Sequence, residues 1–190
     1  GLGVGKEYHL TDEERLLIAI QADGCLRGNC PQSNPEWRTC DVVLHKYRKI
    51  ERFEMLLGKL NIDYSKTILE KRHHYTFVVP GTTTISAIKS FGWADIKNFS
   101  TNKATEFIEE LLKWDGSDNR NWYNTNKQAI DFIQAIARLA KVTATVEINR
   151  SSDKKNETIL PQGGNPQSMK TCYVITFSSQ KNRTYPHRKE

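Results

Sequence analysis

Cysteine is scarce: four in 190 residues, at positions 25, 30, 40 and 172, too few and too unevenly spaced for the disulfide framework of a small secreted domain. The chain is therefore expected in a reducing, intracellular compartment, a bacterial or phage-infected cytoplasm or an organelle or nucleus, and not among secreted proteins. No apolar run approaches the roughly 18 to 20 residues that a membrane span needs, and no secretory h-region or lipidation signal is present. A membrane protein is excluded on that reading. Acidic side chains are in the minority, 22 Asp and Glu against 28 Lys and Arg, and the resulting charge of +6 is a mild bias toward polyanionic partners. An initiator Met is also missing, so residues 1–10 read as a tag scar or linker, the alternative being that the chain is a piece cut from a longer polypeptide. The rest, 37% apolar and 26% charged, is long enough to bury a core without staples.

What the chain does have is an internal repeat. Thr11-Asp-Glu-Glu14 has the T-x-x-E form of a capping box and leads into Arg15-Leu-Leu-Ile-Ala-Ile-Gln-Ala-Asp-Gly24, an apolar helix running straight into Asp-Gly. Residues 105–116, Thr105-Glu-Phe-Ile-Glu-Glu-Leu-Leu-Lys-Trp-Asp-Gly116, do the same, and Asp23 and Asp115 stand 92 residues apart. After each Asp-Gly come a polar stretch, a strand, an amphipathic helix and a hairpin. In the first half these are Thr39 to Tyr47, Ile50 to Leu60, and Tyr64 to Leu69 with His74 to Val79. In the second they are a short stretch with Trp122 and Tyr123, Asn126 to Ala140, and Thr143 to Ile148 with Cys172 to Phe177. The expected class is α+β: two pseudo-symmetric αββαββ repeats with antiparallel sheets, at 11–90 and 105–190. The linker lies roughly between Pro80 and Ser100 and is drawn at 91–104. The loop at 25–38 and the polar hairpin tip at 149–170 distinguish the halves, and the tip is expected to be mobile.

Other constellations are weaker. Cys25, Cys30, Cys40 and His45 do not repeat the tight C-x2-to-4-C pairs of structural zinc sites, and they fall on elements that the repeat already explains. In the strand after Arg38, Val42 and Leu44 share a side with Lys46 while Asp41, Val43, His45 and Tyr47 share the other, so alternation does not separate core from surface there. Tyr75, Phe77 and Val79 alternate cleanly as a packed face, leaving His74, Thr76 and Val78 opposite. Lys46, Arg48, Lys66, Arg72 and His74 are the basic candidates for phosphate or base-edge contacts.

Leu16-Leu-Ile-Ala-Ile-Gln-Ala-Asp-Gly24 and Ile108-Glu-Glu-Leu-Leu-Lys-Trp-Asp-Gly116 resemble the two motifs of a single-chain LAGLIDADG homing endonuclease, with the likeness extending over about residues 11 to 180. The resemblance implies that the motif helices lie side by side at a pseudo-two-fold interface and that each half lays a four-stranded saddle in the major groove of double-stranded DNA. It implies that Asp23 and Asp115 hold Mg²⁺, for which Mn²⁺ would substitute, with the backbone carbonyls of Ala22 and Trp114 as minor ligands. Two carboxylates on symmetric helix ends also suit the hard oxygen ligation that phosphodiester hydrolysis requires. The family favours small residues at the third and seventh motif positions. Ile18 and Ala22 stand there in the first motif, Glu110 and Trp114 in the second, which predicts an imperfect fit of the second helix.

A basic residue after each closing hairpin is a further family trait, placed to polarise the attacking water or to steady the phosphorane. Lys97, 74 residues after Asp23, resembles that site; the same offset from Asp115 lands on Lys189, with Arg188 and Lys181 as alternatives because the second hairpin tip is longer, and Lys189 is also a candidate DNA contact. The implied activity is a site-specific cut of both strands of a long target, leaving short 3′ overhangs, by a monomer, since both motifs are in one chain. Intron homing or an intein is the implied setting. The alternative is a non-cleaving relative, an intron maturase or transcription regulator, which has no physical need of a carboxylate pair.

Overall fold

The computed structural model describes residues 8–27, 37–80, 84–117, 120–150 and 171–179. The first half runs α1 (Asp12–Asp23), β1 (Gly24–Leu26), β2 (Trp37–Leu44), α2 (Tyr47–Lys59), β3 (Tyr64–Leu69) and β4 (Arg72–Pro80). A short helix α3 (Ile85–Ser90) and a 3-10 turn (Ile96–Asn98) lead to the second half: α4 (Thr101–Asp115), β5 (Gly116–Ser117), β6 (Asn121–Asn124), α5 (Lys127–Leu139), β7 (Val142–Arg150) and β8 (Cys172–Ser179). The two sheets are antiparallel with the same strand order, β1-β2-β4-β3 and β5-β6-β8-β7, so the repeat read from sequence is a repeat of topology. The fold class is α+β as expected.

Local chemistry explains the element ends. The Thr11 hydroxyl accepts from the Glu14 amide at 3.2 Å while the Glu14 carboxylate accepts from the Thr11 amide at 3.0 Å, which satisfies two otherwise orphaned donors of α1. At the other end the Gly24 amide closes the last helical bond on Ile20 and the chain turns directly into β1; Gly116 does the same on Leu112. Neither glycine has positive φ. Their requirement is space, because a Cβ on Gly116 would stand 2.3 Å from the Leu112 carbonyl oxygen and one on Gly24 would stand 2.6 Å from Ile20 Cγ2. Gly116→Ala is therefore expected to cost about 1 to 3 kcal/mol of stability, the scale of overpacking, as measured by urea unfolding.

Each sheet buries one face on its own helices. Cys40, Val42 and Leu44 of β2 and Tyr75, Phe77 and Val79 of β4 are buried, with Ile50, Phe53, Leu56 and Leu57 of α2 also in the core, whereas Val43 and Val78 on the opposite parity are exposed. Trp122, Ile175 and Phe177 are buried in the second sheet, as are Ala129, Ile130, Ile133, Ile136 and Ala137 of α5. The ambiguity in residues 41–47 ends because β2 stops at Leu44: Lys46 caps α2, which starts at Tyr47, not Ile50. The stretch expected as linker contains α3, whose Ile88 is buried together with the following Phe91. The Phe91 ring packs on Phe107, Phe132 and Trp122 at 5.4 to 6.1 Å. Most of the loop at 25–38 and the tip at 149–170 lie outside the described residues.

The motif helices α1 and α4 pack against each other, and the two departures from the small-residue pattern are accommodated by a polar lock. Glu110 has no exposed surface; its carboxylate accepts from Arg15 at 3.0 Å, from Arg52 Nε at 2.7 Å and from the Trp114 indole at 2.8 Å, with a second bond from Arg52 Nη2. Burial alone would raise this carboxyl, but the bonds from Arg52, Trp114 and Arg15 outweigh it and hold it below the ordinary 4.5. Arg15 also bridges to Glu106 at 2.8 Å. The expected misfit is corrected: a buried carboxylate with two guanidinium partners and an indole fills the interface where small side chains were awaited.

Candidate active site and nucleic-acid face

Because α1 and α4 lie together and each ends on its aspartate, Asp23 and Asp115 meet at one point. The gauge of that meeting is Lys49, from the first turn of α2: its ammonium lies 2.5 Å from Asp23 Oδ2 and 3.3 Å from Asp115 Oδ1. The Lys49 side chain is 9% exposed, against 24% and 31% for the aspartates, so the three form a partly desolvated cluster opening on solvent. Burial raises the Asp115 carboxyl, and the charge of Asp23 adds to it, with Lys49 acting in the opposite direction. Two carboxylates that hold one cation between them are suited to another. Among the described residues no group of three or more His, Cys, Asp or Glu side chains is placed to hold a metal ion, so a metal here would have two protein carboxylates and leave its other places to carbonyl, water or phosphate oxygen. Mg²⁺ is commonly bound that way.

A second lysine, Lys89 of α3, reaches the same helix end. Its ammonium donates to the carbonyls of Gln21 and, at 3.3 Å, Ile20. Burial lowers its pKa, opposed by the charges of Asp115 and Asp23. The geometry thus gathers Lys49 and Lys89 at the ends of the motif helices, two lysines that the sequence reading did not name. Lys97 itself is exposed on the 3-10 turn, its amide bonded to Asp95. Lys49 had a legible signal: it falls on the apolar stripe of α2 one turn before Phe53, where a solvated lysine has no place. Lys89 had none, since α3 is too short for periodicity to reveal. Of the other site residues, Ala22 is half-buried beside Asp23, and Trp114 is core, its ring edge-on to Phe53 at 6.2 Å.

The basic candidates separate by position. Lys46 is exposed at the start of α2, and Arg72 is exposed at the start of β4. Arg48 donates to the Lys113 carbonyl of α4, tying the halves together. His74 is on the open face of its sheet, its ring 3.0 Å from Asp41. Lys66 is on the other side: it pairs in register with buried Tyr75, binds Glu54 of α2 at 2.5 Å and covers the Tyr75 ring at 5.7 Å. Its expected place on the DNA face is corrected by strand parity. Lys189 and Cys30 lie outside the described residues. The thiol of buried Cys40 is pushed up to about 12 by burial and by Asp41, which makes it unreactive and a poor metal ligand.

Known proteins share this architecture. The crystal structure of I-DmoI in complex with DNA and Ca superposes with a TM-score of 0.55 over 86% of this chain and 81% of that one, at 17% identity. The fold is of the LAGLIDADG type. The I-DmoI complex with DNA and Mn matches at the same TM-score with 16% identity over 86% and 87% of the chains, and a study of mesophilic variants of the homing endonuclease I-DmoI gives 0.55 and 16% over 86% of each. At such identities the likeness is one of fold. In sequence, the chain is 31% identical over 159 residues to the ribonucleoside-diphosphate reductase subunit beta of Aquifex aeolicus, an alignment over 77% of this chain that spans only 23% of that protein's length. No protein-family model matches the chain.

Proposed function

We propose that this chain is a metal-dependent, site-specific endonuclease that cuts both strands of double-stranded DNA. The observation that carries the reading is the convergence of Asp23 and Asp115, from two helices of a duplicated fold, on one cation position. The I-DmoI complexes supply the partner by analogy of fold: there the same architecture is bound to DNA with Ca or Mn. Asp23 and Asp115 would hold Mg²⁺ or Mn²⁺, with the carbonyls of Ala22 and Trp114 as minor ligands. The ion, when bound, supplies Lewis-acid stabilisation of phosphate charge and a more acidic water. Lys49 serves as the counter-charge of the carboxylate pair and as a positive group beside the phosphate. Lys89, anchored on the last carbonyls of α1, steadies the charge that develops on the phosphorane.

This division of roles makes a paired prediction. Lys89→Met is expected to lower the single-turnover cleavage rate by roughly a hundredfold with little change in DNA affinity, the scale of losing one electrostatic stabiliser. Lys97→Met is expected to cut at a rate near that of the unaltered chain. The reverse pattern would return the role to Lys97.

The alignment with less than a quarter of a reductase subunit fits an endonuclease unit carried inside a host polypeptide, as in an intein, and the reading places no reduction chemistry in this chain. With both motifs in one chain, it acts as a monomer and reads two unlike half-sites. One observation favours the non-cleaving alternative, a maturase-like or regulatory binder: the seat between the carboxylates is taken by Lys49. The two are separated by incubating the purified chain with a randomised duplex library in Mg²⁺ and sequencing bound DNA and cut ends. Staggered breaks with short 3′ overhangs in one family of long, non-palindromic sites are expected. Enriched but uncut DNA in both Mg²⁺ and Mn²⁺ would favour the binder, and no enrichment at all would reject both.

A further inference from the structure

The open face of the first sheet is organised around a carboxylate. Asp41 of β2 accepts from Arg27 Nη2 at 2.9 Å and from Arg27 Nε, from the Thr76 hydroxyl at 2.7 Å, and lies 3.0 Å from His74 Nε2. A bare carboxylate on a surface that meets phosphates would repel them, and burial by itself would raise the Asp41 carboxyl. The bonds from Arg27, Thr76 and His74 outweigh burial and keep it ionised below its ordinary range. Asp41 is thus neutralised by its neighbours, and its own effect is to fix the guanidinium.

The fixation is geometric. Arg27 follows β1 and its amide bonds the Thr39 carbonyl at 2.9 Å, which anchors its backbone to β2. The carboxylate takes the Nε and one Nη2 proton in a fork, leaving Nη1 and the remaining Nη2 proton uncommitted to Asp41 on a side chain that is 60% exposed. An arginine held in this way has lost its rotamer freedom before binding, and its outer edge matches the O6 and N7 acceptors of guanine in the major groove. In the second sheet the register position that corresponds to Asp41, one residue before the partner of the motif glycine, holds Asn121, which brings no carboxylate charge.

We propose that Arg27, oriented by Asp41, reads a guanine in the half-site covered by the first sheet, with Asp41 as its positioning residue. The proposal rests on the DNA reading above and goes beyond it by naming one base and one side chain. Binding selections from a randomised duplex pool in Ca²⁺, with the unaltered chain, Arg27→Lys and Asp41→Asn, test it. The unaltered chain is expected to enrich sites with one invariant G·C pair in one half. Arg27→Lys keeps the charge but lacks the planar fork, so it should lower the preference at that pair by roughly ten- to a hundredfold and leave the other positions unchanged. Asp41→Asn should relax the same pair. Sites that keep every preference in Arg27→Lys would overturn the proposal while leaving DNA recognition intact. Failure of the unaltered chain to enrich any sequence would overturn recognition, and the proposal with it. Because Arg27 is exposed, a folded Arg27→Lys protein is expected, which circular dichroism verifies independently of Asp41→Asn.

Discussion

Asp23→Asn and Asp115→Asn are each expected to lower the rate of DNA cleavage by about a thousandfold or more while leaving DNA affinity within a fewfold of the unaltered chain. The amide keeps the size and position of the side chain but removes the charge that would bind a divalent cation, and a catalytic metal contributes several kcal/mol of transition-state stabilisation, about 1.4 kcal/mol per factor of ten. Single-turnover cleavage of the selected target, alongside binding in Ca²⁺, checks it. Equal loss in both variants is expected because each helix end supplies half of one site. Undiminished cutting by either would remove that residue from the centre.

The largest effect on folding is expected from Glu110→Ala. Its carboxylate is wholly buried and meets Arg15, Arg52 and the Trp114 indole, so truncation takes from Arg52 its carboxylate partner and leaves Arg15 to Glu106 and Asp12 at the interface of α1 and α4. Breaking a buried ion pair on one side costs about 3 to 5 kcal/mol, a large share of the stability of most domains. Urea unfolding measures it. The pH dependence has a definite sign: a carboxyl whose folded pKa is depressed contributes stability above its unfolded value near 4.5, and the contribution is lost as pH falls through the folded value. The difference in stability between the unaltered chain and Glu110→Gln should therefore be constant near neutrality and shrink only below about pH 4.5.

How far the sequence could be read depends on the range of the interactions. Thr11 and Glu14 are three residues apart and satisfy each other's amides, so the start of α1 was legible outright. Tyr75, Phe77 and Val79 were legible because strand parity is local. The convergence of Asp23 and Asp115 was legible through the resemblance of the two motifs to the LAGLIDADG pattern, since the repeat alone says nothing of how the halves face each other. Lys66 was misplaced because its charge was weighed without its register: opposite Tyr75 it can only face α2. Arg27 and Asp41 were invisible as a pair, since their contact depends on the antiparallel register that sets Cys25 against Asp41. Glu110, which disagreed with the motif pattern, became intelligible once Arg15 and Arg52, from two different helices, were seen to enclose it.

The most direct test of the metal-dependent centre is anomalous scattering from crystals of the chain with its selected DNA in Mn²⁺. A peak is expected at about 2.1 Å from carboxylate oxygens of both Asp23 and Asp115, with the Lys49 ammonium moved off the pair. Crystals with bound DNA in which Lys49 still bridges both carboxylates, and in which no peak lies near either, would contradict it.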